Sequence, residues 1–125
     1  MYELTVTASL AAAHHLRGYQ GKCENVHGHN YRVEATVAAS SLDKTGLAMD
    51  FHDLKRHLKA VVERFDHTDL NEAAEFQAIN PSCEILSRVL YQDLARAVQG
   101  TEVRVLRVRV WETDTSCVTY HEEST

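Results

Sequence analysis

Two stretches of strictly alternating residues constrain the fold of this protein more than any other feature. From Tyr2 to Leu10 the even positions are apolar and the odd positions are polar. From Tyr31 to Val37 the odd positions are apolar and the even ones are polar. Successive side chains of a strand point to opposite faces, so each stretch predicts a strand with one buried face. The glycine-containing segment between them predicts an antiparallel ribbon.

The middle of the sequence has helical spacing instead. After a loop over residues 40–49, Asp50 is expected to cap one helix, and Asn80-Pro81 is expected to supply the cap and first residue of another that ends at Gly100. The apolar stripes are Phe51, Leu54, Leu58, Val61, Val62 and Phe65 in the first helix and Ile85, Leu86, Val89, Leu90 and Leu94 in the second.

Alternation returns after the second helix. The apolar positions shift parity between Val105 and Leu106, which predicts a β-bulge, and a turn at Asp114 leads to a last short strand. The order ββααββ predicts a single α+β domain over residues 1–125, a four-stranded antiparallel sheet with both helices on one face. Its unprotected outer edges favour pairing with other copies of the protein, so we expect a homo-oligomer.

Composition narrows the classes of partner. The protein has 125 residues and a net charge of -5, so it offers one modest core and no basic stripe for nucleic acid. No apolar run approaches the roughly 20 residues of a membrane span, and the N-terminus is unlike a signal peptide. Three cysteines make a disulfide framework improbable. We expect a cytoplasmic protein with a small-molecule ligand and no nucleic-acid or membrane partner.

Histidines cluster in the segment between the first two strands. His27 and His29 share a parity, so on an extended backbone they project from one face about 7 Å apart and are able to close on one metal ion. A catalytic Zn²⁺ site uses three protein ligands and keeps a fourth position open. The antiparallel ribbon brings His14 and His15 back beside His27. Because neighbouring side chains face opposite ways, one of these two is expected to be the third ligand.

Further candidates for chemistry lie outside the histidine cluster. Cys23, close to His27, is interpreted as a fourth metal ligand, a buried small residue or a reactive thiol. Asp66 and His67 follow the first helix and are candidates for a proton relay with Cys23, although an Asp is not expected to orient the ring of the next residue. Glu112 continues an apolar strand face, and its carboxylate is suited to the paired N–H donors of a guanidine-like ring.

These residues resemble the 6-pyruvoyl-tetrahydropterin synthase and 6-carboxytetrahydropterin synthase family. The matching pieces are Ala12-Ala13-His14-His15-Leu16, Cys23 through Tyr31, Met49-Asp50-Phe51 with Leu54-Lys55, Asp66-His67 with Leu70-Asn71, Asn80-Pro81-Ser82 with Glu84, and Glu112-Thr113. The resemblance implies a tunnelling fold (T-fold), in which trimers close their sheets into a barrel and two trimers stack, with sites between subunits.

The same resemblance implies roles for individual residues. It implies a Zn²⁺ ion bound by His14, His27 and His29, and so selects His14 over His15. It also implies that Cys23 abstracts a proton with Asp66 and His67 as relay partners. The implied pterin site has Glu112 on the 2-amino-4-oxo edge, helped by Ser82 and Cys83.

The implied substrate is 7,8-dihydroneopterin triphosphate. The three residues between Cys23 and His27 resemble the carboxy-forming group, which releases 6-carboxy-5,6,7,8-tetrahydropterin, acetaldehyde and triphosphate on the way to queuosine. Glu24 also resembles variants that cleave this substrate to 6-hydroxymethyl-7,8-dihydropterin for folate synthesis. The alternatives are therefore a folate-type or bifunctional enzyme, a pyruvoyl-forming enzyme, and a pterin- or metal-binding module without turnover.

Overall fold

The long antiparallel ribbon predicted from alternation is present in the computed structural model, which describes residues 1–122. It is formed by β1 (Tyr2–His14) and β2 (His27–Ala39). The register pairs His14 with His27, and alternate residues in the central part of both strands, such as Leu10 and Val33, are buried in the core. Residues 123–125 of the predicted domain lie outside the described residues.

The sheet has five strands, one more than predicted. The remaining elements are α1 (Phe51–Glu63), β3 (Thr68–Asp69), α2 (Cys83–Ala97), β4 (Arg104–Thr113) and β5 (Ser116–Tyr120). The strand order is β3-β1-β2-β4-β5, and β3 runs parallel to β1, so the expectation of four purely antiparallel strands is wrong. Two residues are too few to show an alternating pattern, and only their contact with Ala12 and Ala13 makes them a strand.

Both helices lie on one face of the sheet, with α1 packed on β1 and α2 on β4 and β5. As predicted, Asp50 caps α1 by accepting a hydrogen bond from the backbone N–H of His52 at 2.8 Å. Phe51 does not belong to the buried stripe, because it lies in the first turn and is 55% exposed. Neither helix of the described residues has the length and apolar character needed to cross a membrane.

The cap of α2 differs from the prediction. Ser82, not Asn80, is the N-cap residue, and its hydroxyl accepts a hydrogen bond from the backbone N–H of Ile85 at 3.2 Å. Asn80 does not cap the helix because its carboxamide is bonded to the backbone of Arg17. Pro81 therefore precedes the cap instead of opening the helix.

The bulge and the last turn are confirmed. Thr36 pairs with Arg107 and Val37 pairs with Val105, so Leu106 is the extra residue that shifts the apolar parity of β4. The backbone then reverses through Asp114 into β5. At the other side of the sheet, β3 covers β1 only at Ala12 and Ala13, so among the described residues most of the outer edge of β1 has no neighbouring strand.

The different burial of Leu58 and Phe51 gives a direct test of the packing. Leu58 is fully buried between α1 and the sheet, so Leu58→Ala is expected to lower the free energy of unfolding by about 2–5 kcal/mol. Phe51→Ala is expected to change it by less than about 0.5 kcal/mol. Urea denaturation of both variants measures these values, and equal losses would contradict the described packing of α1.

Candidate metal centre and catalytic residues

Three histidines converge where β1 ends and β2 begins. His14 is the last residue of β1 and lies opposite His27, the first residue of β2, while His29 lies two residues further along the same face. The ring centroids of the three pairs are 4.6, 5.1 and 4.8 Å apart. His15 faces away, and its ring lies beside the carboxamide of Asn71. The structure therefore places His14, and not His15, with His27 and His29.

Backbone carbonyls determine the protonation pattern of two of these rings. His14 Nδ1 lies 2.7 Å from the carbonyl of Pro81, and His27 Nδ1 lies 2.7 Å from that of Asn25. A carbonyl only accepts hydrogen bonds, so both Nδ1 atoms carry a proton, and a neutral ring then has a bare lone pair on Nε2. The two Nε2 atoms face each other 3.0 Å apart. Two lone pairs at this distance repel, and a bound cation removes that repulsion.

His29 adds a third unsatisfied nitrogen to the cluster. Its Nε2 is buried and, among the described residues, has no hydrogen-bond partner. Glu112 Oε1 lies 3.0 Å away, which is within ion-pair distance but without hydrogen-bond geometry. Burial lowers the pKa of His29, the charge of Glu112 raises it, and His14 and His27 lower it again, so that the net shift is downward. A lowered pKa favours the neutral imidazole, which is the form that binds metals.

Together the residues form a donor set suited to a metal ion. One ligand atom from each of His14, His27, His29 and Glu112 lies within 4.8 Å of the others. Three imidazole nitrogens with one carboxylate match the ligand preference of Zn²⁺ and related divalent metals. Sequence reasoning missed the contact of Glu112 with the histidines. The available signal was the position of Glu112 on the same face as Val108 and Val110. Because Val110 pairs with Val33 in antiparallel strands, Glu112 lies towards the beginning of β2, where His27 and His29 are.

Cys23 lies outside this donor set among the described residues. It is half-buried in a short 3-10 turn, Lys22–Glu24, between β1 and β2. Its carbonyl accepts a hydrogen bond from the backbone N–H of Leu16 at 2.7 Å, which holds the turn beside the end of β1. The fourth atom of the converging group therefore comes from Glu112 and not from Cys23.

Asp66 and His67 form a pair at the outer edge of β1. Asp66 Oδ2 lies 3.1 Å from His67 Nδ1, so the carboxylate and the ring of these neighbouring residues are in contact. The physical reason is the left-handed backbone of His67, with φ of 60°, which turns the ring back towards Asp66. The hydrogen bond that Asp66 accepts from the N–H of Ala11, and then the nearby His67, lower the pKa of Asp66.

Within this chain, the Asp66–His67 pair is separate from Cys23. The N–H of His67 bonds to the carbonyl of Ala11, whereas Cys23 is held at Leu16. The extended strand from Ala11 to His14 alone spans about 10 Å. Among the described residues, no hydrogen bond joins Cys23 to Asp66 or His67, and the His67 side chain is 82% exposed. The candidate proton-relay residues are therefore divided between the two sides of β1, with Cys23 on one side and Asp66 and His67 on the other.

The predicted pterin-binding side chains have different surroundings. Ser82 is engaged as the cap of α2, and the Cys83 thiol donates to the carbonyl of Val110 at 3.4 Å. Burial, with the charges of Glu112 and Glu84, raises the pKa of Cys83 to about 12, so this thiol stays protonated. Glu24 is exposed beside Cys23, and the Glu112 side chain is 30% exposed. Of these residues, Glu112 contributes a side-chain atom to the cluster of His14, His27 and His29.

Comparisons with known proteins point to one family. The sequence model of the 6-pyruvoyl tetrahydropterin synthase family matches residues 3–123. A protein of Archaeoglobus fulgidus, provisionally named a 6-carboxy-5,6,7,8-tetrahydropterin synthase, is 40% identical over 109 residues, which cover 87% of this chain and 86% of that protein. The 6-carboxy-5,6,7,8-tetrahydropterin synthase of Aquifex aeolicus is 33% identical over 125 residues, covering 82% of this chain and 77% of that protein.

A solved structure shows the fold independently. The 6-pyruvoyl tetrahydropterin synthase of Caenorhabditis elegans superposes with a TM-score of 0.85 at 24% identity, covering 98% of this chain and 96% of that one. The predicted α+β tunnelling fold is confirmed, with five strands instead of four. With the family match over nearly its whole length, the chain belongs to the 6-pyruvoyl tetrahydropterin synthase family.

Proposed function

We propose that this protein is a zinc-dependent 6-carboxy-5,6,7,8-tetrahydropterin synthase, which converts 7,8-dihydroneopterin triphosphate and water to 6-carboxytetrahydropterin, acetaldehyde and triphosphate. The observation that carries the proposal is the convergence of ring nitrogens from His14, His27 and His29. In two of these rings, Nδ1 donates its proton to a backbone carbonyl. The names of the relatives from Archaeoglobus and Aquifex support the carboxy-forming reaction.

The donor set supports Zn²⁺ as the metal. Nitrogens bound at about 2.0–2.1 Å to one tetrahedral Zn²⁺ lie roughly 3.3 Å apart, close to the 3.0 Å between His14 Nε2 and His27 Nε2. His14, His27 and His29 would hold the ion, and Glu112 lies close enough to complete the set when substrate is absent. When bound, Zn²⁺ would supply Lewis acidity that makes the C–H bonds beside the substrate hydroxyls more acidic.

Cys23 is proposed to take the proton that leaves the substrate carbon, with His67 and Asp66 relaying it. Because this pair lies across β1 from Cys23 in one subunit, we propose that the relay is completed by a second subunit. The open outer edge of β1 and the exposure of His67 support assembly at this face. The proposed assembly is the dimer of trimers that the resemblance implies.

Glu112 is proposed to anchor the 2-amino-4-oxo edge of the pterin, whose paired N–H groups match a carboxylate. Its position beside His29 would place the ring next to the metal. Ser82 and Cys83 would contribute through the backbone of the first turn of α2, because their side chains are already bonded within the subunit. The proposed pathway is queuosine biosynthesis, and the proposed location is the cytoplasm.

A folate-type cleavage to 6-hydroxymethyl-7,8-dihydropterin is the second candidate. It is favoured by Glu24, which is exposed and shares the 3-10 turn of Cys23, so both side chains start from adjacent positions at the site. If Glu24 acts as a second base, one enzyme would form both products. Non-catalytic binding remains the alternative of another class.

Product analysis separates these functions. Zinc-loaded protein incubated with 7,8-dihydroneopterin triphosphate is expected to release acetaldehyde and 6-carboxytetrahydropterin, measured by mass spectrometry. Glu24→Ala is expected to leave this product unchanged and to remove any hydroxymethylpterin. A hydroxymethylpterin yield that is the same in Glu24→Ala would exclude the folate-type role of Glu24, and ligand binding without any product would contradict the synthase proposal.

A further inference from the structure

Hydrogen bonding along β1 continues beyond the last residue of the strand. The backbone pairing of β1 ends at His14 on the β2 side and at Ala13 on the β3 side. In the next three residues, each backbone N–H still donates a hydrogen bond, at 2.9 Å from His15, 2.7 Å from Leu16 and 2.8 Å from Arg17. The acceptors of these three hydrogen bonds belong to Asn71, Cys23 and Asn80, none of which lies in a strand.

Two asparagine side chains replace the missing neighbouring strand. Asn71 Oδ1 accepts from the N–H of His15, and Asn71 Nδ2 donates to the carbonyl of the same residue at 3.1 Å. Asn80 does the same for Arg17, accepting at 2.8 Å and donating at 2.9 Å. A carboxamide thus presents the donor and acceptor pair that a strand residue would present.

The intervening residue bonds in the opposite direction. The N–H of Leu16 donates to the carbonyl of Cys23, whereas His15 and Arg17 face the two asparagines. Successive residues of a central strand bond alternately to the neighbours on its two sides. Residues 15–17 follow this pattern, with the asparagines on one side and the Cys23 turn on the other. The segment that follows His14 is therefore tied both to the candidate base and to residues 71 and 80.

Asn80 is also connected to the ring of His14. The next residue, Pro81, accepts the Nδ1 proton of His14. The guanidinium of Arg17 donates to the carbonyls of Phe76, Gln77 and Ile79, so it braces the segment that leads to Asn80 and Pro81. Partners that hold the second nitrogen of a ligating histidine set its orientation and its affinity for the metal.

We propose that Asn71 and Asn80 are positioning residues that act as side-chain strand partners, extending β1 past His14 and thereby holding the His14 ring and Cys23 in register. The proposal deepens the proposed function, since it takes His14 as a metal ligand. The carboxamides of both asparagines bond to the backbone of His15 and Arg17. Their effect on the metal passes through the backbone of residues 15–17 and the carbonyl of Pro81.

Asn80→Ala tests this role, with Gln77→Ala as the matched control. The side chain of Gln77 donates two hydrogen bonds, to the carbonyls of Asn71 and Ala73, and has none to His14 or residues 15–17. The backbone carbonyl of Gln77, which accepts from Arg17, is kept in the alanine variant. Asn80→Ala is expected to weaken Co²⁺ binding by about 10–100-fold, the range typical for loss of an outer partner of a ligand. It is also expected to change the visible absorption of bound Co²⁺, which reports coordination geometry. Gln77→Ala is expected to leave both unchanged.

A second measurement needs no metal. In the metal-free protein at one fixed pH, the ring-nitrogen NMR signals of His14 are expected to move in Asn80→Ala and not in Gln77→Ala, because only the first releases Pro81. Asn80→Asp keeps the acceptor for the N–H of Arg17 and loses the donor, so its effects are expected to be intermediate. This variant also serves if the alanine variant does not fold.

The outcomes distinguish the two proposals. If the wild-type protein binds no Co²⁺ but the His14 signals move in Asn80→Ala, the metal site of the proposed function is wrong and the positioning role stands. If wild type binds Co²⁺ and Asn80→Ala binds it equally, with unchanged absorption and ring signals, the positioning role is overturned. Equal effects of Asn80→Ala and Gln77→Ala would also overturn it, because they would show a general loss of stability.

Discussion

His14→Ala is expected to lower the affinity for Zn²⁺ by more than about 100-fold, beyond the range for loss of an outer partner. The reason is that His14 supplies one of three converging imidazole nitrogens from a buried position, so no water easily replaces it. Competition with a chromophoric chelator measures the affinity. Turnover is expected to fall with the metal content.

The neighbouring residue gives the control for this prediction. His15→Ala removes the same imidazole group one position along the sequence, from a ring that faces Asn71 and not the cluster. It is expected to leave the affinity for Zn²⁺ within about threefold of wild type. Even loss of a residue that orients a metal ligand by hydrogen bonding typically lowers the metal affinity tenfold or more, and His15 has no such role in the cluster. Equal losses in the two variants would show that the structure assigns the wrong histidine to the cluster.

Cys23→Ala is expected to lower kcat by about 10²–10⁴-fold, the usual contribution of a general base. Zinc content is expected to stay at the wild-type level, because Cys23 lies outside the group of converging ligand atoms. Cys117→Ala is the matched control, since Cys117 is an exposed free thiol on β5. Steady-state kinetics and metal analysis on the same samples separate loss of the base from loss of the metal.

Mixing two inactive variants then tests where the relay is assembled. Cys23→Ala retains Asp66 and His67, whereas His67→Ala retains Cys23. If each relay joins two subunits, random mixed oligomers are expected to recover about a quarter of the wild-type activity, because half of the subunits supply each intact part. Recovery of none, with mixed assembly shown by mass spectrometry, would place the relay within one subunit.

Much of this site was predictable because its residues lie on a strongly patterned ribbon. Alternation fixes which side chains share a face, so His27 and His29 were expected to project together. The choice between His14 and His15 was not determined by spacing, because it depends on the register between β1 and β2. A slip of one residue would exchange the two faces. The structure pairs His14 with His27 and thereby places His14 in the cluster.

Other features were missed because they depend on short or irregular segments. The strand β3 has two residues and no pattern of its own. The cap of α2 moved from Asn80 to Ser82 because the carboxamide of Asn80 is used on a residue 63 positions earlier. The pairing of Asp66 with His67 depends on one left-handed residue, which ordinary strand and helix patterns do not include.

The sequence by itself determined the α+β class, the ribbon and both helices, because period-2 and helical spacing are local properties of a polypeptide. It also determined that imidazoles would gather at the end of the ribbon. Only the tertiary structure decided that Glu112 joins them, that Asp66 and His67 lie across β1 from Cys23, and that Asn71 and Asn80 extend the strand. These arrangements join residues far apart in sequence, so they follow from register and packing, which no local pattern encodes.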